Sequence, residues 1–191
     1  MRAKVCSWGV TDRLTEFEHL LLGLICAEPS SGYDLKRAFA TTPIGVYQPS
    51  SGALYPALRR LQTKVLIESL PPTTAGVAAG RRRSAYQATP AGRAAHESWV
   101  RRPVEAASVA RDLGLHLMRF VMMEPLLTRQ EVLDFLCGLR DALAALVADL
   151  ERYTGAATFD GLHPGLALDH GIQVHRASLD WAEHAITSLS T

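Results

Sequence analysis

Two leucine-rich stripes in the second half of the chain restrict its fold more than any other feature. Thr128 and Glu131, three apart, can cap the start of a helix reciprocally. Beyond them Val132, Leu136, Leu139, Leu143, Leu146, Leu150 and Tyr153 recur at alternating spacings of four and three. Leu168, Ile172, His175, Leu179, Ala182, Ile186 and Leu189 repeat the pattern after Pro164. Such spacing draws one narrow apolar seam along each of two long helices. A narrow seam has to be covered, so these helices pack against one another within the subunit or against a second chain. Between Val104 and Glu124 a further helix is expected to turn Val109, Leu113, Leu117, Phe120 and Val121 inward. His175 occupies a seam position where an apolar residue is expected, and a polar group there can set register or make association sensitive to pH.

The first half is built of shorter pieces. Thr15-Glu16-Phe17-Glu18 forms another capping box, followed by the stripe Leu20, Leu21, Leu24 and Ile25. Pro29 and Gly32 break that pattern, and Ser31 can cap a helix to about Ala40 that turns Leu35, Ala38 and Phe39 inward. After a loop through Thr42-Pro43-Ile44-Gly45 comes Pro49-Ser50-Ser51-Gly52-Ala53-Leu54-Tyr55-Pro56-Ala57-Leu58-Arg59-Arg60-Leu61. Leu54, Leu58 and Leu61 share one stripe, while Ser51, Tyr55, Arg59 and Gln62 fall progressively off it and leave a polar face. Pro56 is tolerable because the carbonyl it crowds is that of Gly52, close to a start capped by Ser50 or Ser51. Three short helices with tight turns, the third presenting a polar face, have the proportions of a helix-turn-helix unit.

Val65-Leu66-Ile67-Glu68-Ser69-Leu70 and Ser84-Ala85-Tyr86-Gln87-Ala88 then read as a pair of short strands. The intervening Pro71 to Arg83 loop ends in Gly80-Arg81-Arg82-Arg83, a run suited to phosphates at the tip of a β-hairpin wing. Thr89-Pro90 opens a further helix, expected to run through Trp99 to about Pro103.

Charge divides in the same way. Residues 1–103 hold 14 Lys/Arg against 7 Asp/Glu (net +7), and residues 104–191 hold 6 against 12 (net −6), which gives the overall +1. A basic half suits a polyanion, and an acidic half need not touch one. No apolar run approaches the roughly 18 residues that cross a bilayer, and residues 1–13 lack the apolar core of a signal peptide. A cytoplasmic protein is expected, with Cys6, Cys26 and Cys137 reduced. The seven histidines form no HExxH motif, and His170 and His175, five apart, do not share a helix face. GxSxG, GxxxxGK[ST] and GxGxxG are also missing, so neither an enzyme, a metal site nor a cofactor is expected.

Several of these residues occur together in one known family. Leu22-Gly23-Leu24-Ile25, Ser31-Gly32-Tyr33-Asp34-Leu35-Lys36, Ser51 to Leu61, Leu66-Ile67-Glu68, Gly80 to Tyr86 and Thr89-Pro90-Ala91-Gly92-Arg93 follow in an order that resembles the PadR family of bacterial transcriptional regulators. The resemblance covers about residues 18 to 100. It implies a mainly α protein with a small β-hairpin wing: a winged helix-turn-helix domain over 15–103 and a C-terminal helical dimerisation domain over 104–191, as in the larger-tailed subfamily. Residues 1–14, which precede the family's usual start, form an N-terminal extension, and the wing loop is long. The implied partners are operator DNA and a second copy of the chain, acting as a repressor relieved by a small effector. Carried over by position, the DNA contacts are Tyr33, Lys36, Ser50, Ser51, Gly52, Tyr55, Arg59 and Arg60, with Arg81, Arg82 and Arg83 at the wing. Trp99 and Phe120, near Met118, Met122 and Met123, are candidates to hold a flat aromatic effector. The competing expectation is a winged-helix module that binds protein partners without specific DNA binding, and a mobility-shift assay repeated across salt concentrations separates the two.

Overall fold

Helix formation starts at Thr15, and the structure, a computed structural model describing residues 13–41, 51–71, 84–156 and 161–191, closes both halves of the capping box there. Thr15 Oγ1 accepts from the Glu18 backbone N–H at 3.2 Å, and the Glu18 carboxylate accepts from the Thr15 N–H at 2.7 Å. Helix α1 spans Glu16–Ala27, strand β1 Ser30–Ser31 and helix α2 Gly32–Thr41. Ser31 and Asp34 repeat the cap: Ser31 Oγ accepts from the Asp34 N–H at 3.3 Å and Asp34 Oδ2 accepts from the Ser31 N–H at 3.1 Å. Helix α3 (Ser51–Thr63), strands β2 (Ile67–Ser69) and β3 (Ala85–Ala88) and helix α4 (Pro90–Val100) follow. Helices α5 (Ala106–Met123), α6 (Arg129–Ala156) and α7 (Leu162–Ser190) complete the chain, which divides into two compact units, Met1–Trp99 and Val100–Thr191.

In the first unit, Leu54, Leu58 and Leu61 of α3 are buried together with Leu21, Leu22 and Ile25 of α1 and Leu35 and Phe39 of α2. Ile67 and Ala88 close this core from the sheet. The sheet has three antiparallel strands in the order β1-β3-β2, with Ser30 opposite Tyr86 and Ile67 opposite Ala88. Ser31 caps α2 as expected, and together with Ser30 it also pairs with β3. Two residues are too few to show an alternating pattern, so only their pairing with β3 reveals the strand.

The strand expected from Val65 starts instead at Ile67, because Val65 is used to stop α3. Its N–H donates to the Gln62 carbonyl at 2.8 Å and the next N–H, of Leu66, donates to the Leu61 carbonyl at 2.9 Å. That pair of bonds is a Schellman cap, whose turning residue is usually glycine. Val65 takes the turn at φ 57° with an exposed side chain. At the other end of the sheet, Thr89 caps α4 as expected, its Oγ1 accepting from the Gly92 N–H at 3.0 Å. Gly92 itself leaves no room for a side chain, since a Cβ there would run into the Leu66 carbonyl. Helix α4 ends at Val100 and not at Pro103, as the residue before a proline is steered away from helical geometry.

Trp99 is fully buried. Its indole N–H donates to Glu16 at 3.0 Å, and its ring stacks on His19 at 5.0 Å and on His96 at 5.9 Å.

In the second unit, the periodicity read for α5 fails after Asp112. That residue leaves helical geometry (φ −123°, ψ 29°) and shifts the phase of everything beyond it. Val109 is buried as expected, but the inward face then becomes Leu115, His116, Met118, Arg119 and Met123, with Leu113 and Phe120 half-buried and Leu117 and Val121 exposed. His116 Nε2 lies 2.8 Å from Ser108 Oγ, and the Arg119 guanidinium sits 5.0 Å from the Phe135 ring centre while donating to the Val100 and Arg102 carbonyls. Helix α6 opens on the expected Thr128–Glu131 box. Val132, Leu136, Leu139 and Leu143 are buried, and the buried line continues through Val147 while Leu146 and Leu150 are half-buried and Tyr153 is exposed. A straight helix drifts by about 20° per heptad from a seven-residue repeat, which moves the seam from Leu146 to Val147. Along α7 the seam is thinner: Ile172 and Ala182 are buried, while Leu168, His175, Leu179, Ile186 and Leu189 are half-buried.

Two outcomes follow from this architecture. Replacing the exposed Val65 by glycine removes a β-branched residue from the left-handed region and loses no buried surface, so Val65→Gly should raise unfolding free energy by about 1 kcal/mol in urea titration. Burial lowers the His96 pKa, and burial with the Arg119 charge lowers that of His116, both from an ordinary 6.5. The unfolded chain therefore binds more protons than the native one below that value, and stability should fall as pH is lowered from 7 towards 5. Thermal melts of His96→Gln and His116→Gln should show a smaller loss over that interval than the parent.

Candidate nucleic-acid interface

The polar face of α3 is available because the opposite face is consumed by the core. Leu54, Ala57, Leu58 and Leu61 are buried, and Gly52, Ala53, Tyr55, Pro56, Arg59, Arg60 and Thr63 are exposed. Pro56 lies inside a continuous helix, as its position four residues after Gly52 allows. The exposed residues are not equivalent, since the two edges of this face are tied to neighbouring helices.

On one edge, Tyr55 is 47% exposed yet its ring lies against the start of α2. A Cβ on Gly32 would come within 2.9 Å of Tyr55 Cε1, so the glycine makes the space in which the ring rests. The α2 residues Tyr33 and Lys36, one turn apart, are both exposed. On the other edge, Arg60 Nε donates to Glu18 Oε1 of α1. Burial alone would raise the Glu18 carboxyl, but its bonds to Thr15 and the adjacent Arg60 outweigh that and hold it below the ordinary carboxylate value. Gln62, expected on the free face, is instead half-buried and donates to Ser69 Oγ at 2.9 Å.

Midway between those edges stands Arg59, exposed, with Gly52 and Thr63 along the same line. Of the residues expected to contact DNA, Tyr33, Lys36, Gly52, Tyr55, Arg59 and Arg60 are thus all at the surface of the first unit. Ser51 opens α3, while Ser50 and Arg81, Arg82 and Arg83 lie outside the described residues. The two expected effector contacts have separate surroundings. Trp99 is buried in the first unit and stacked on His19 and His96, and Phe120 meets the edge of Trp181 at 5.5 Å in the second. Sequence reasoning passed over Glu18 and Gly32 as parts of the site. Glu18 was visible only as a cap, and nothing local points to a partner 42 residues away.

Among the described residues there is no group of three His, Cys, Asp or Glu placed to hold a metal ion, and no helix long and apolar enough to cross a membrane. Burial pushes the Cys26 thiol up to about 11, opposed only by the Arg93 charge, so it is not a reactive thiolate at neutral pH.

Comparison with solved structures finds similar chains. A Bacillus subtilis PadR in complex with operator DNA is 18% identical, with 93% of this chain and 99% of that one covered and a TM-score of 0.46. The same protein in complex with p-coumaric acid is 19% identical, with 93% and 100% covered and a TM-score of 0.42. The PadR-like transcriptional regulator BC1756 from Bacillus cereus is 22% identical, with 95% and 99% covered and a TM-score of 0.43. No curated protein matches the chain. The family model of the transcriptional regulator PadR-like family matches residues 21–98, from within α1 to within α4, and takes in both the exposed face of α3 and the sheet beside it. Over those residues the chain is similar to the PadR-like family of transcriptional regulators, and its 191 residues, with three described helices beyond the match, fit the subfamily with the larger C-terminal segment.

Proposed function

We propose that this protein is a sequence-specific DNA-binding regulator of transcription, acting in the cytoplasm as a homodimeric repressor that a small aromatic effector releases. The observation that carries the reading is α3: within a PadR-like domain, it buries Leu54, Leu58 and Leu61 completely and turns Gly52, Tyr55 and Arg59 outward. A helix held by one face and exposing an arginine on the other suits the major groove, where a guanidinium can pair with guanine edges. The net +7 of residues 1–103 supports a polyanionic partner, and Arg81, Arg82 and Arg83 are placed in the proposal as phosphate contacts of the wing.

DNA binding falls to residues 15–103 and dimerisation to residues 104–191. Leu117 and Val121 on α5 and Leu162, Leu166 and Val174 on α7 are exposed, which leaves apolar surface for a second copy. Phe120, half-buried beside Trp181, and Trp99 are the proposed effector contacts; Trp99 would have to leave its histidine stack to meet a ligand.

Duplexes selected by the protein from a random pool, compared with a scrambled duplex by fluorescence anisotropy across salt concentrations, test the reading. Arg59→Ala should weaken the selected duplex by about 1–3 kcal/mol and leave the scrambled one unchanged. Arg82→Ala or Arg83→Ala should weaken both and flatten the salt slope by about 0.9 for each phosphate that is no longer neutralised. Equal losses on both duplexes from all three would show that α3 does not read sequence. Dimerisation is checked by light scattering: the parent should have the mass of two chains at micromolar concentration, and Val121→Asp with Leu166→Asp should shift it towards one. A monomeric parent would remove the dimer.

A further inference from the structure

The carboxylate of Glu18 sits where a purely structural cap and the proposed reading helix meet. Its side chain is 3% exposed, and both of its oxygens are engaged. Oε2 accepts from the Thr15 backbone N–H at 2.7 Å and from the Thr15 hydroxyl at 3.1 Å, and Oε1 accepts from Arg60 Nε. A buried carboxylate with every contact supplied by donors stays ionised at neutral pH, in line with a pKa held below the ordinary value despite burial. Opposite it, the Arg60 side chain is 53% exposed, so it lies at the surface with its positive charge already balanced from beneath.

Position on the helix adds a second argument. At 3.6 residues per turn, Arg60 lies about 100° round α3 from Arg59, on the flank that faces α1. Tyr55, on the other flank, rests against Gly32 at the start of α2. Helix α3 is therefore braced on both sides of the exposed line through Gly52, Arg59 and Thr63. Resting on the reading that α3 binds DNA, we infer that Arg60 is a positioning residue, held by Glu18 to set the orientation of α3, and that it does not serve as a phosphate or base contact. Glu18 then links the start of the domain's first helix to the angle at which the third is presented.

Charge counting distinguishes this from direct contact. An arginine on a phosphate releases counterions and adds about 0.9 to the salt slope, whereas a neutralised one adds little. The experiment is anisotropy titration of the full chain on the selected and scrambled duplexes, for Arg60→Gln, Arg60→Lys, Glu18→Gln and the double Glu18→Gln/Arg60→Gln, with Arg82→Gln as the phosphate-contact reference. Arg60→Gln should leave the salt slope on the scrambled duplex unchanged while the preference for the selected duplex falls about tenfold, within the range for residues coupled in one hydrogen-bonded network. Arg60→Lys, which keeps a cation opposite Glu18, should retain most of that preference. Glu18→Gln should steepen the slope by up to about 0.9 as the Arg60 charge is released, and the double variant should return it to the parent value.

A flatter slope in Arg60→Gln, matching Arg82→Gln, or an undiminished preference would overturn the inference. So would a Glu18→Gln slope equal to the parent's. The pair is also read without DNA, by a double-mutant cycle in urea unfolding: Glu18 and Arg60 should be strongly non-additive, and additivity overturns the assignment. A parent protein that binds both duplexes alike would refute the DNA reading instead, and the unfolding cycle would still decide whether Glu18 holds Arg60.

Discussion

Burial of the Leu54, Leu58 and Leu61 stripe is the interaction on which the first unit depends. All three side chains are at most 1% exposed, and they are enclosed by residues from α1, α2 and the sheet. Truncating any one of them would cost about 2 to 5 kcal/mol, a large share of the stability of a domain this size. The same burial produces the candidate site. A helix of 13 residues with one face sealed has nowhere to place Arg59 except outward. Core and interface are two sides of one element, and the rigidity of the first gives the second a fixed presentation.

Around that helix, polar contacts act as adjustments to a position already set by packing. The Thr15–Glu18 box starts α1 and leaves one carboxylate oxygen for Arg60. Such a charge, nearly removed from water, is tolerable because donors meet both oxygens; losing Arg60 would leave part of it unmatched. Gly32 and Gly92 act by lack of volume, one under the Tyr55 ring and the other beside the Leu66 carbonyl. Each is a place where backbone or ring approaches closely, which a β-carbon would prevent.

The second unit works under a looser constraint. Its longest helices, α6 and α7, meet along a seam that is fully buried only in part, and α7 contributes just Ile172 and Ala182 to the buried set. Polar groups enter the interior of α5, with His116 against Ser108 and Arg119 against the Val100 and Arg102 carbonyls and the Phe135 ring. A buried guanidinium is expensive to desolvate, and carbonyl acceptors with an aromatic face below it recover much of that cost. These contacts give α5 a defined seat that its leucines alone do not supply.

Much of this was legible in the residues because it is local. The capping boxes at Thr15 and Thr128, the stripe of α3, the Thr89 cap and the seam of α6 each depend on spacings within one or two turns, and short-range geometry makes them readable. The PadR-like motifs, spread from Leu22 to Arg93, carried the same reading to the level of a family. What tertiary structure alone decided is non-local. The pairing of Ser30 and Ser31 with β3 needs a strand more than 50 residues away, and the Arg60–Glu18 contact joins two helices with no shared pattern. The kink at Asp112 rotated half of α5 out of the phase that a regular helix would have kept, so Leu117 and Val121 emerged where burial was expected. Val65 left its strand because α3 needed a left-handed residue to stop. In each case a residue had two locally acceptable roles, and packing against a distant partner or the closing of a helix end determined which one it took.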